Sequence, residues 1–184
     1  MKQLILSILS TTLISGSLLA LDPKTPTKEN LMKPYTIVQK PSILLMGITC
    51  RTSNVLEAGP IDIPNLWGKF YADNVIGKIS NKTSNEVLAL YFDYEGDHTK
   101  PYSILIGCPV SSADVIPEGM TVKSIPEGSY ALFHAIGEHP KALIETWGTI
   151  WQTNLKRTYT GDYEVYGQKF IPGSDQEVEI FIAL

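Results

Sequence analysis

Hydrophobic and polar positions along this chain fall into two matching runs, each reading strand, helix, strand, strand. In the first, Ser42–Cys50 (SILLMGITC) is an apolar strand with Gly47 near its end. Ile63-Pro64 then opens a helix, proline being favoured in a first turn, and Trp67, Phe70, Tyr71, Asn74 and Val75 follow at helical spacing. Glu86–Tyr94 (EVLALYFDY) and Tyr102–Val110 (YSILIGCPV) are two strands separated by the turn-like EGDHTKP. In the second run Ser129–Ile136 (SYALFHAI) is the strand, followed by Gly137, and Pro140 opens the helix. Its apolar stripe is Leu143, Trp147, Ile150, Trp151 and Leu155. Asp162–Tyr166 and Glu177–Leu184 are the closing strands, and the Ser/Pro/Gly-rich stretch 111–119 links the two runs. The tripeptide Asp-Tyr-Glu occurs twice, at 93–95 and 162–164, on strands that correspond in the repeat.

Neither run could cover its own sheet and helix alone. The pattern predicts one α+β domain over residues 35–184, with halves of about 35–112 and 118–184. The two pseudo-symmetric β-α-β-β halves form a curved antiparallel sheet with two helices and a central cleft. Strands in adjacent pairs argue against a doubly wound sheet.

The N-terminal segment has a different pattern. Met1-Lys2 is a short positive start, and Leu4–Ala20 runs without a charge toward small residues at its end. That layout predicts a cleavable signal peptide over 1–20, and therefore an exported protein, periplasmic or secreted; the alternative is an uncleaved anchor. Residues 21–34, rich in Pro, Lys and Thr, read as a flexible linker, with no integral membrane segment after cleavage.

Charge narrows the partners. The net charge is −4, and without Lys2 the balance is 14 basic against 19 acidic residues. An acidic surface argues against a nucleic-acid partner. Cys50 and Cys108 end two predicted strands, and both a disulfide and two separate buried thiols are open readings. No cofactor motif is present. Glu95, Asp97 and His98 lack metal-site spacing and read as a solvated turn, so no metal is expected. His139 reads as solvated before its helix, and His134 as a strand histidine satisfied in the core.

Alternation along Asp162–Tyr166 places Glu164 and Tyr166 on one face and Tyr163 and Val165 on the other. Two readings of Glu164 follow from pattern alone. It faces water, or pairs with Lys156 or Arg157; or it sits inward among aromatic rings, where a desolvated carboxylate demands a cation or hydrogen-bond donors. Trp67, Trp147 and Trp151 read as core or as cleft walls, Trp67 and Trp147 holding similar places in the two halves. Tyr91 and Tyr94 point to opposite faces, so only one meets the cleft; Phe133 reads as core.

These residues resemble a known family. Ile63-Pro64-Asn65-Leu66-Trp67-Gly68-Lys69-Phe70 is similar to the helix "IP-x-LW-x-KF" of GyrI-like effector-binding domains, in their integron-associated and AraC-type branch. Leu88–Glu95, Pro126–Ala131 with Gly137, Trp147–Trp151, Asp162–Tyr166 and Val178–Leu184 resemble further elements of that branch in the same order. The resemblance implies a fold of two pseudo-symmetric halves that binds hydrophobic, often cationic, small molecules. By motif position it gives Glu164 the role of the buried glutamate that meets the ligand's charge, with Trp67, Tyr91, Trp147, Trp151 and Tyr166 as ligand-binding aromatics. No helix-turn-helix precedes the domain, so the family's transcriptional role is not carried over. Some GyrI-like proteins hydrolyse reactive small molecules, but no nucleophile–base pair is visible here. A hydrolase and a protein-interaction or sensor-partner module are thus the alternatives to a small-molecule binder.

Overall fold

The computed structural model describes residues 34–184 except 55–57 and 172–175. The predicted signal peptide and almost all of the predicted linker lie outside the described residues. Eight strands and three helices follow in the order β1 (Thr36–Lys40), β2 (Ile43–Thr52), α1 (Gly59–Ala72), α2 (Val75–Lys78), β3 (Val87–Phe92), β4 (Tyr102–Pro109), β5 (Thr121–Ile125), β6 (Gly128–Gly137), α3 (Lys141–Gln152), β7 (Asp162–Tyr166) and β8 (Gln176–Ala183). All strands join one antiparallel sheet in the order β1-β6-β8-β7-β3-β4-β2-β5.

That order requires the sheet to curl. β1 and β2 lie six places apart, about 29 Å across a flat sheet at ~4.8 Å per strand. Yet only Pro41 and Ser42 join them, a link that reaches about 10 Å. β5 and β6 are likewise six places apart and joined only by Pro126 and Glu127. The two links run side by side in one register, with Lys40 opposite Gly128 and Ile43 opposite Ile125. A proline, which has no N–H for a ladder, marks the bend in each. The sheet is therefore a half-barrel, and the predicted pseudo-symmetry holds with an addition. Each half sends its first strand to the other, β1 onto β6 and β5 onto β2.

The curl gives the sheet two apolar faces, which explains why every residue of the central strand β3 is buried. Leu88, Leu90 and Phe92 point inside the curl with Leu45, Leu105, Tyr130, Tyr163 and Phe181. Ala89 and Tyr91 point to the helix face. Phe70 of α1 packs onto Met46, Ile48, Ile104 and Ile106, and Ile150 of α3 onto Phe133, Val178 and Ile180. Trp147 packs against both clusters and joins the two halves.

Two sequence expectations are corrected at this level. α1 begins a turn before Ile63, at Gly59, with Pro60 in the first turn, and Pro64 lies inside the helix. The two Asp-Tyr-Glu tripeptides are not equivalent in the fold: Asp93–Glu95 lies beyond β3, whereas Asp162–Glu164 opens β7. Asn74 in the left-handed region (φ 47°), a conformation Asn tolerates, ends α1 and turns the chain into α2. Cys50 and Cys108 are both free. On the β2–β4 ladder Cys50 faces Ile104 and Cys108 faces Met46, four residues apart along the strand, about 13 Å and beyond disulfide reach.

A carboxylate-floored aromatic cleft

A cavity of about 830 Å³ opens between α1 and α3, above β3 and β7. All six residues singled out from sequence line it: Glu164, Trp67, Tyr91, Trp147, Trp151 and Tyr166. Its remaining wall is mostly apolar, including Ile63, Pro64, Leu143, Ile144 and Phe170.

Alternation along β7 brings Glu164 to the helix face, directly opposite Ala89, whose methyl leaves room for a carboxylate. Glu164 is 1% exposed. Its Oε1 accepts hydrogen bonds from Tyr91 Oη at 2.8 Å and from Trp147 Nε1 at 2.6 Å; its Oε2 accepts one from Tyr166 Oη at 2.8 Å. One donor comes from β3, one from α3 and one from β7 itself, so the carboxylate ties both halves together. Among the described residues no Lys, Arg or His pairs with it, which removes the solvent-face and Lys156 or Arg157 readings. Burial raises the Glu164 pKa above the usual carboxylate value, while bonds from Trp147, Tyr166 and Tyr91 oppose the rise. Burial and the adjacent Glu164 push the Tyr91 and Tyr166 hydroxyls well above their ordinary value, so both remain donors.

The rings brace one another at right angles. Trp67 meets Tyr166 edge-on at 4.8 Å and Tyr91 meets Trp147 at 5.2 Å. Trp147 is half-buried, and Trp151, 43% exposed, stands at the rim with Tyr71 and Ile144.

Several side chains lie where the sequence did not place them. Tyr94 also lines the cleft, because Asp93 takes a left-handed conformation (φ 50°) and breaks the alternation after β3. His98 is no solvated turn residue: its ring stacks on Trp151 at 5.7 Å. His139 lines the cavity against Phe170, and His134 faces solvent, bonded to Glu177. A second buried carboxylate, Asp162, lies two residues before Glu164 on β7. It is fully buried and receives Arg157 at 2.5 Å, Tyr94 Oη at 3.0 Å and the Ala183 N–H at 2.8 Å. Sequence spacing carried no signal for it, since its partners come from three separate segments.

Fold and cleft together define a small-molecule-binding domain. Residues 36–184 match the model of the integron-associated effector binding protein family, Cass2, and the chain belongs to that family. The chain is 30% identical over 143 residues to YobU of Bacillus subtilis (strain 168), described as a candidate transcriptional regulator, covering 75% of this chain and 89% of that protein. It is 32% identical to a solved integron cassette protein from the mobile metagenome of Vibrio cholerae, with a TM-score of 0.64 over 81% of this chain and 94% of the other. The structure of SAV2435 bound to tetraphenylphosphonium shares the fold at 22% identity, with a TM-score of 0.66 over 80% and 92% of the two chains. Among the described residues no helix is long and apolar enough to cross a membrane.

Proposed function

We propose that the cleft binds a hydrophobic monocation, its charge set against Glu164 and its apolar body held between the rings of Trp67, Tyr91, Trp147, Trp151 and Tyr166. The observation that carries this reading is the carboxylate itself, dehydrated by the fold and met only by neutral donors. A lipophilic cation supplies what the site lacks, a positive charge that gives up little hydration on entering. Each aromatic face adds cation–π attraction of roughly 0.5–2 kcal/mol. Membership of an effector-binding family supports a small-molecule partner, and tetraphenylphosphonium, the molecule bound in SAV2435, has the chemistry described. The reading of residues 1–20 as a signal peptide adds the proposal that binding takes place outside the cytoplasm.

The test is a titration of the protein with tetraphenylphosphonium and with its anionic isostere tetraphenylborate, followed by tryptophan fluorescence. Saturable quenching by the cation with at least tenfold weaker binding of the anion is expected. Equal binding of the two would remove the charge from the account.

A further inference from the structure

Two buried polar atoms in the cleft have no partner: Arg157 Nε and His98 Nδ1. Both belong to side chains that line the cavity, Arg157 bonded to Asp162 and His98 stacked on Trp151. Several neighbouring polar groups are engaged. Asn54 donates to the His98 carbonyl at 2.9 Å and accepts from Tyr102 Oη at 2.7 Å, while Tyr94 and the Arg157 Nη2 atom bond Asp162. A buried polar atom left unmatched costs about 1–3 kcal/mol, so two in one ligand cavity mark a missing group.

We propose that the ligand is two-ended: a hydrophobic cation whose far end carries an uncharged oxygen, foremost a hydroxyl, seated against Arg157 and His98. This rests on the reading of the cleft as a cation site and extends it to the rest of the ligand. Arg157 Nε–H can only donate, so the ligand atom it meets must accept. A hydroxyl accepts from Arg157 and donates to a bare His98 Nδ1, serving both atoms at once. Burial, with the Arg157 charge nearby, holds the His98 pKa below its usual value, so the ring is neutral at pH 7. An anionic group is disfavoured because the Arg157 charge is already matched by Asp162. The poles suit a compact aromatic molecule: ring-to-ring steps of 6.1 Å and 5.7 Å lead from Trp147, which binds Glu164, through Trp151 to His98. His98 lies on the turn between β3 and β4, where Asn54 holds its carbonyl.

Three probes test it on the full chain: tetraphenylphosphonium, (4-hydroxyphenyl)triphenylphosphonium, and the neutral 4-tritylphenol. Two variants accompany them. His98→Phe keeps a ring on Trp151 but deletes Nδ1; the double variant Arg157→Met, Asp162→Leu deletes the donor without orphaning a charge. The hydroxylated cation is expected to bind about tenfold tighter than its parent. That gain, read in each variant against the same variant's affinity for the parent cation, falls at least threefold in His98→Phe and vanishes in the double variant. Equal binding of the two cations to the wild type overturns the inference, as does a gain that survives in His98→Phe. If neither cation binds but 4-tritylphenol does, with the same sensitivity to His98→Phe, the oxygen pocket stands and the charge reading falls. If none of the three binds, both fall.

Discussion

Replacing Glu164 by Gln isolates the charge at the floor of the cleft from everything else. Gln has the same shape and still accepts from Tyr91 and Trp147, and Tyr166 Oη can turn to accept from the new amide. Only the negative charge is lost. A cation centre about 5 Å from the carboxylate gains about 3 kcal/mol at an effective dielectric of about 20. The usual offset, stripping water from the carboxylate, has been met already in folding, because Glu164 is 1% exposed before any ligand arrives. The attraction therefore passes largely into affinity. Loss of about 3 kcal/mol corresponds to roughly a 100-fold rise in Kd for tetraphenylphosphonium. Tetraphenylborate, repelled by the same charge, binds tighter in Glu164→Gln, so the ratio of the two affinities moves by more than either alone. Tryptophan fluorescence reads both, since Trp67, Trp147 and Trp151 all line the cavity. A Kd for the cation within threefold of wild type, in a variant that keeps its thermal transition, would refute the reasoning. It would mean that the cation sits away from Glu164 or that the carboxylate is protonated when it binds.

Stability carries a pH signature from the same residue. The folded-state pKa of Glu164 lies above its unfolded value, so folding takes up a proton between the two. Its contribution to stability is present below the unfolded value and is lost as pH rises through the folded one. A Tm profile of ligand-free Glu164→Gln should therefore lack a decline that wild type shows above pH 4.5; parallel profiles would contradict the assignment. Cation affinity moves the opposite way, strengthening with pH through that window, and tetraphenylphosphonium titrations from pH 4 to 8 should show it in wild type alone. Trp147→Phe removes the 2.6 Å donor and should cost about 1–1.5 kcal/mol more at pH 8 than at pH 4, because a carboxylate holds the bond more strongly than a carboxylic acid; urea melts at the two values measure the difference. Arg157→Met strands Asp162 and should destabilise by about 3–5 kcal/mol, with much of the loss recovered on adding Asp162→Leu, as chemical denaturation would show. Gly47→Ala should cost about 2–4 kcal/mol by the same measurement, because a Cβ there would stand 2.0 Å from the Ile106 carbonyl oxygen on β4.

How much of this could be read from sequence depends on the range of the interaction concerned. The period of two along β7 orients Glu164 against Tyr163 through backbone geometry alone, and the strand occupies Asp162–Tyr166 as the pattern predicts. The same rule fails for Tyr94 three residues past Tyr91, because one left-handed residue, Asp93, resets the alternation and no Gly announces it. β1 (TIVQK) and β5 (TVKSI) are short, mixed in polarity and largely uncovered, so neither stands out as a strand. Their exchange between halves follows from closing the curl at Pro41 and Pro126, which no local window contains. The site divides along the same line. That an inward carboxylate at 164 needs donors is legible from desolvation. Which donors meet it is not, since Tyr91 lies 73 residues away in the chain and arrives only because β3 and β7 meet at the pseudo-twofold axis. The repeat supplies the reason those two strands are neighbours. Where two halves share a sheet, the strands that abut at its centre are the equivalent ones, and Tyr91 and Tyr166 both donate to Glu164 between them. The internal repeat, more than any single motif, is the sequence feature that positions the cleft.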